Sequence, residues 1–258
     1  MKTAILVGGK GTRLFAEQTD VPKALYEIGD RPILWHIMKM YEAHGFREFL
    51  LLLGYKAEKI VDYVLHRQPF EGRDVRVTLA RSQRPTVIKP DRLQPPWTIS
   101  LCHTGPDSPK GERIRRVEEY IADDENFMVT YGDGLSDLDI GDLVDFHKDH
   151  GKIATITAVR ADSQFGHLQL DEAQVTAMIE NPQLPDWING GFMVFRREIF
   201  EWLEPDDPLE TGALRRLAEA NELMAYRHRG FWACMDTYKD NLELNNLWDS
   251  SQPPWKKW

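Results

Sequence analysis

The sequence has little cysteine, no long apolar run and no surplus of positive charge. Cys102 and Cys234 are the two cysteines among 258 residues. They offer neither a disulfide framework nor metal-ligand spacing, and both read as core thiols in a reducing compartment. No segment stays apolar over the length that crosses a bilayer, so no transmembrane helix and no membrane partner are expected. The strand-like opening, Lys2–Val7, lacks the apolar stretch and small-residue site of a secretory signal. These absences predict a cytoplasmic protein. Lys and Arg number 32 against 41 Asp and Glu, a formal charge of −9. Affinity for nucleic-acid backbone comes from cations that neutralise phosphates, so no nucleic-acid partner is expected. A small anionic ligand needs only a few well-placed cations. Repeats, low-complexity tracts and clear linkers are also missing.

What remains is an alternation of strand and helix signals. Ala4–Val7 is a short apolar run ending in glycines. Asp30-Arg31-Pro32 reads as a cap and early-turn proline for a helix through Ile33, Ile37, Met40 and Tyr41 that ends near Gly45. Glu48–Leu53 reads as a buried strand, Lys56–His66 as a helix and Val75–Leu79 as a strand. That rhythm predicts a mainly parallel sheet with helices on both faces. Residues 82–97 interrupt it with a proline-studded, cation-bearing loop, which reads as a lid, a binding element or an oligomer contact. Further on, Arg113–Tyr120 and Leu138–His150 read as helices, and Phe127–Tyr131, Ala154–Val159 and Gly190–Phe195 as strands. Phe165–Ile179 reads as an antiparallel pair. Helices near Arg197–Leu203, Leu209–Ala220 and Tyr238–Trp248 follow, with a Trp- and Pro-containing tail. The simplest account is one α/β domain over 1–258 with a small C-terminal α+β extension from about 160 onward.

The loop after the first strand carries the first chemical signal. Gly8-Gly9-Lys10-Gly11-Thr12-Arg13 exposes successive backbone amides and adds two cations and a hydroxyl, which suits phosphate oxygens. It is not a P-loop, because Gly11 follows Lys10. It is not a dinucleotide fingerprint either, because Leu14 stands where Gly or Ala is needed. Farther along, Pro22 fixes Lys23 beside an apolar segment, so that lysine can be aimed inward.

Leu6 to Leu14 followed by Pro22-Lys23 resembles the signature of the sugar-phosphate nucleotidyltransferases. Pro32 to Tyr41, Tyr131-Gly132-Asp133-Gly134, Asp137 to Ile140, Phe146-His147-Lys148, Ile188 to Phe192, Gly230-Phe231-Trp232 and Met235-Asp236-Thr237 resemble the branch of that family that uses CTP. The resemblance implies a Rossmann-like nucleotidyltransferase fold, a mixed and mainly parallel sheet flanked by helices. It implies a Mg²⁺-dependent reaction of a nucleoside triphosphate, CTP, with a phosphorylated small molecule. Glucose 1-phosphate is the first expectation, giving CDP-glucose and pyrophosphate, and the protein would be a homo-oligomer. By the same implication Leu6, Val7, Gly8, Gly9, Lys10, Gly11, Thr12, Arg13, Thr104, Arg113 and Gly132 hold the nucleotide. Arg13, Lys23, Asp133 and Asp236 form the reacting centre, and the two aspartates hold the metal. Lys23, Gly166, Glu180, Asn181 and Asn189 face the acceptor, whereas Gln83, in the 82–104 segment, is assigned to base reading.

The chain departs from the pattern on the acceptor side. Glu180-Asn181-Pro182 stands where a Glu-Lys-Pro is expected, so a cation has become a neutral amide. Val21 replaces the first lysine of Lys-Pro-Lys, and Gly212 stands where an acidic residue is expected. Either another cation compensates, Arg113 or one from the 82–97 loop, or the acceptor is a different phosphorylated or phosphonylated molecule. A non-catalytic nucleotide-sensing module is the rival of another class, and the full reacting-centre set argues against it.

Overall fold

The computed structural model describes residues 1–9, 20–67, 76–77, 88–89, 97–163, 165–180, 182–250 and 252–258. Its centre is a seven-stranded sheet. The strands are β1 (Thr3–Leu6), β2 (Glu48–Leu53), β3 (Thr98–His103), β4 (Asn126–Tyr131), β5 (Ala154–Val159), β6 (Ile188–Arg196) and β7 (Leu223–Arg227). Their order across the sheet is β7-β5-β6-β4-β1-β2-β3. The pairs β4–β1, β1–β2, β2–β3 and β5–β7 are parallel. Only β6 runs against its neighbours β4 and β5.

Period-two alternation divides the core between the two faces. Ile5, Leu51, Leu53, Met128, Phe192 and Val194 pack on one side with the helices Ile33–Ala43, Ile140–His150 and Tyr238–Asp249. Ala4, Leu50, Leu52, Phe127, Val129, Met193 and Phe195 pack on the other, against Ile114, Val117, Leu214 and Leu217. Parallel strands covered on both faces need unbroken apolar runs, and Phe49–Leu53 is buried throughout. The Trp-rich tail belongs to this core. Trp255 is fully buried, stacks on Phe231 with ring centroids 5.7 Å apart, and its Nε1 donates to His36 Nδ1 at 3.4 Å. His36 in turn holds Ile28 O through Nε2 at 2.9 Å, and burial pushes its pKa down to about 4.

Several local expectations change. Asp30 does not cap the first long helix: Pro32 does, in an extended conformation, after Arg31–Pro32 has paired with Glu27–Ile28. The predicted helix Lys56–His66 is an α-helix over Ala57–Asp62 that continues as a π-helix over Tyr63–Arg67, with Lys56 left-handed at φ 54°. Of Val75–Leu79 only Arg76–Val77 is described, and it pairs with Ile88–Lys89 outside the main sheet. The edge strand beside β2 is instead β3, whose alternation Thr98-Ile99-Ser100-Leu101 suits a half-covered edge. Residues after 160 supply β6 and β7 to the central sheet and add a hairpin, His167–Asp171 with Gln174–Ile179. No described helix is long and apolar enough to cross a membrane.

Candidate active site

The carboxyl ends of β1, β2 and β4 form one edge of the sheet, where open α/β sheets receive their ligands. β1 ends in Leu6 and runs through Val7 into Gly8 and Gly9. β4 ends in Tyr131, and Gly132 lets the chain turn close against β1. A Cβ at Gly132 would lie 2.9 Å from Leu6 O, and its amide donates to that same oxygen at 3.2 Å. Asp133 follows directly.

Asp236 comes from more than a hundred residues downstream, and the reason it arrives is local pairing. Gly134–Ser136 pairs antiparallel with Trp232–Cys234, and Met235 N donates to Asp133 O at 2.9 Å. Met235 is buried as an anchor. The capping box of helix Tyr238–Asp249 then fixes Asp236 from its other side: Asp240 accepts from Asp236 N at 2.8 Å and from Thr237 N at 2.6 Å. Lys23 enters on a short turn after Pro22, with Ala24 buried beneath it. Its Nζ donates to Asp133 Oδ2 at 2.8 Å and to Asp236 Oδ1 at 2.5 Å. Burial alone would lower the lysine's pKa; the charge and hydrogen bonds of the two aspartates outweigh it, so the ammonium is held above its ordinary value.

This cluster has the donor set of a divalent cation site. Asp133 Oδ1 is buried without a hydrogen-bond partner, and ligand atoms of Asp133, Cys234 and Asp236 lie within 4.8 Å of one another. A hard cation prefers the carboxylate oxygens to the sulfur. Cys234, expected to be a core thiol, is half-buried beside Asp133. Burial and the neighbouring aspartate push its pKa up, so it stays a neutral thiol rather than a nucleophile. Cys102 is buried as expected.

Arg113 turns its charge on the protein's own chain. The residue is 5% exposed, and its guanidinium donates to five oxygens: Gly8 O at 3.1 Å, Leu53 O at 3.1 Å, Thr104 Oγ1 at 2.8 Å, Gly105 O at 2.7 Å and Pro106 O at 3.3 Å. Thr104 is fully buried and passes its own proton to Leu53 O at 2.7 Å. Arg113 therefore ties the glycine loop to the ends of β2 and β3. Glycine is required on both sides of it, since a Cβ on Gly8 or Gly54 would meet Nη1 at 2.3 Å.

Among the residues expected to face the acceptor, Asn189 donates through Nδ2 to Tyr131 OH at 3.1 Å, and Tyr131 OH donates to Glu210 at 2.6 Å. Lys110 pairs with the same carboxylate and lies 4.3 Å from the centre of the Tyr131 ring. Glu210 and Lys110 carry no site signal in the sequence, and Tyr131 stands there only as part of Tyr131-Gly132-Asp133-Gly134, because nothing in their spacing marks a network that three separate elements assemble. Gly166 lies over Glu180, a Cβ there falling 3.1 Å from Oε1. Lys10, Gly11, Thr12, Arg13, Gln83 and Asn181 lie outside the described residues.

Comparison with known proteins agrees with this geometry. A family model described as nucleotidyl transferase matches residues 2–249. The glucose-1-phosphate cytidylyltransferase of Salmonella typhi is 42% identical over 264 residues, covering 100% of both chains. The mannose-1-phosphate guanylyltransferase catalytic subunit beta of Drosophila pseudoobscura pseudoobscura is 29% identical, over 97% of this chain and 63% of its own. Among solved structures, a UDP-glucose pyrophosphorylase from Acinetobacter baumanii superimposes with a TM-score of 0.66 at 15% identity, over 98% of this chain and 95% of its own. That last likeness is one of fold.

Proposed function

We propose, from the premise that this chain belongs to the nucleotidyl transferase family, that it transfers CMP from CTP to a sugar 1-phosphate, with glucose 1-phosphate as the parent acceptor, and releases pyrophosphate. The observation that carries the reading is Lys23 held between Asp133 and Asp236 at the carboxyl edge of the sheet. The choice of CTP and glucose 1-phosphate follows the full-length likeness to the Salmonella typhi enzyme.

An acceptor phosphate oxygen attacks the α-phosphorus of the triphosphate in line. The new P–O bond forms as the bond to the pyrophosphate oxygen breaks, and no enzyme nucleophile takes part. Both reactants are anions, so positioning and charge neutralisation supply the catalysis. Lys23 is suited to the oxygens at the α-phosphorus, and Arg13 to the departing pyrophosphate. Asp133 and Asp236 would hold Mg²⁺, whose usual ligands are one or two carboxylates with phosphates and water. When bound, that ion neutralises phosphate charge. The backbone amides of the glycine loop bind phosphate oxygens, and Arg113 keeps the loop in place.

In the same reading the protein is one domain and a homo-oligomer. The hairpin His167–Asp171 and Gln174–Ile179 leaves Leu168, Leu170, Val175 and Met178 more than half exposed, a band that a second copy would cover. The test of activity is a matrix of nucleoside triphosphates against phosphorylated acceptors, assayed for pyrophosphate with Mg²⁺. CTP with glucose 1-phosphate should give CDP-glucose. Absence of pyrophosphate with every pair would leave a nucleotide-sensing module instead.

A further inference from the structure

Arg227-His228-Arg229 runs along the end of β7, and the ladder continues one bond past the strand, His228 N donating to Ala158 O at 2.9 Å. Alternation along an extended chain turns His228 to one face and both arginines to the other. His228 meets Asp137 at 2.9 Å. Arg227 and Arg229 each bring their guanidinium carbon to 5.7 Å from the centre of the Trp187 ring. Arg160 follows the last residue of β5. The pairing of Val159 with Ile188 sets it across from Trp187, at 4.8 Å. None of the three guanidiniums is ion-paired among the described residues. In a chain of formal charge −9, carboxylates are in surplus, yet three exposed arginines converge on one half-buried indole with no carboxylate in ion-pair contact among the described residues.

The place of this cluster is informative. Trp187 directly precedes β6, two residues before Asn189, and period-two alternation sets the two on the same side. Asn189 binds Tyr131, whose strand turns into Asp133. From β4 across β6 to β5 is two inter-strand spacings, about 10 Å. The cluster therefore stands beside the residues expected to face the acceptor, on the side where the far end of a hexose phosphate would lie. Arg113, whose guanidinium is filled by five oxygens, is not available to that half.

The geometry points to an acceptor with a second anionic group, a carboxylate or a phosphate, at the end remote from its reacting phosphate, held by Arg160, Arg227 and Arg229 over Trp187. This rests on the nucleotidyl-transfer reading and narrows its substrate class. Guanidinium forks match either anion, and a neutral sugar leaves all three charges without a partner.

The test compares glucose 1-phosphate, glucuronic acid 1-phosphate and glucose 1,6-bisphosphate as acceptors with CTP, in the wild-type protein and in Arg160→Gln/Arg229→Gln. At least one doubly anionic acceptor should exceed glucose 1-phosphate in kcat/KM by about 10-fold or more, the range of one charge-assisted contact. The carboxylate and phosphate arms identify which group is read. In the double variant that ratio should fall toward one, with partial return in the corresponding double lysine variant. General damage to the fold lowers all three acceptors together and leaves the ratio in place. Equal kcat/KM for the three acceptors, or a ratio unmoved by the substitutions, overturns the proposal. If no acceptor releases pyrophosphate, the transfer reading has failed, and calorimetric titration with the two doubly anionic compounds decides. Binding weakened about 10-fold in the variant supports the anion site, and equal binding, or none, refutes it.

Discussion

Replacing Arg113 by alanine separates two roles for that residue, a clamp on the backbone and a contact to nucleotide. The clamp consists of five hydrogen bonds from one buried guanidinium. At about 1 kcal/mol net each they sum to about 5 kcal/mol. Some of their acceptors keep other donors. Leu53 O retains Thr104 N at 2.9 Å and Thr104 Oγ1 at 2.7 Å, and Gly8 O retains Tyr55 N at 3.2 Å. Gly105 O and Pro106 O lie where the bonds are only part-buried, so water can replace the arginine there. The expected loss is therefore about 3 kcal/mol. For a domain of this size that lowers Tm by roughly 6–12 °C, read by thermal denaturation and checked by urea unfolding. Arg113→Lys should recover about half, because three ammonium donors cannot span five oxygens. Gly54→Ala should lower Tm as well, since its Cβ would meet Nη1 at 2.3 Å. A Tm within about 2 °C of wild type, with KM for the triphosphate raised, refutes the clamp.

Other outcomes follow from the same geometry. Lys23→Ala should lower kcat by about 100-fold or more while Tm changes little, and Lys23→Arg should not restore it, because the planar fork cannot take the ammonium's place between two carboxylates; pyrophosphate release checks this. Asp236→Asn should raise the Mg²⁺ concentration needed for half-maximal rate and weaken Mg²⁺-induced thermal stabilisation. Glu112 is buried, and its bonds to Arg115 prevail over the cost of burial, holding its pKa at about 2 against an ordinary 4.5. Its folded pKa is depressed, so its stabilisation is fully present above the ordinary value and is lost as pH falls from about 4.5 toward 2. Glu112→Gln should flatten the acid limb of the stability profile there by no more than about 3 kcal/mol, less to the extent that solvent screens the exposed arginines. Leu170→Glu with Met178→Glu should reduce the apparent mass by size-exclusion chromatography and light scattering without unfolding the chain.

The parts of the fold that could be read from sequence are those where one rule dominates. Glu48–Leu53 and Ala154–Val159 are short, mainly apolar runs of strand length, and they are strands with those limits. Edge and pairing segments were not legible. β3 alternates and follows a run of prolines, whereas β7 is a short stretch of mixed polarity after a helix. Each is defined by what it pairs with rather than by its own residues. The same holds in the site. Asp133 could be found as the residue after a strand end, but Asp236 needed the resemblance, because what brings it in is the pairing of Gly134–Ser136 with Trp232–Cys234. Arg113 is the opposite case. Its sequence context gave a cation, and only the fold shows that backbone carbonyls surround that cation.

Charge matching links the two halves of the site. In the proposed reading Lys23 stands between the carboxylates of Asp133 and Asp236 at the reacting end, where a divalent cation would arrive with the triphosphate. At the far end three guanidiniums stand around Trp187 with no carboxylate in ion-pair contact among the described residues. β4 and β5, which lead toward the two ends, are two inter-strand spacings apart, about 10 Å, so the two ends would meet different parts of the bound substrates. In the proposed reading a triphosphate with its metal meets the first. A neutral hexose would leave the second as it is, whereas an acceptor that ends in a carboxylate or phosphate balances it. In that reading the loss of a lysine at Asn181 need not weaken the acceptor site as a whole, because Arg160, Arg227 and Arg229 would supply the positive charge instead.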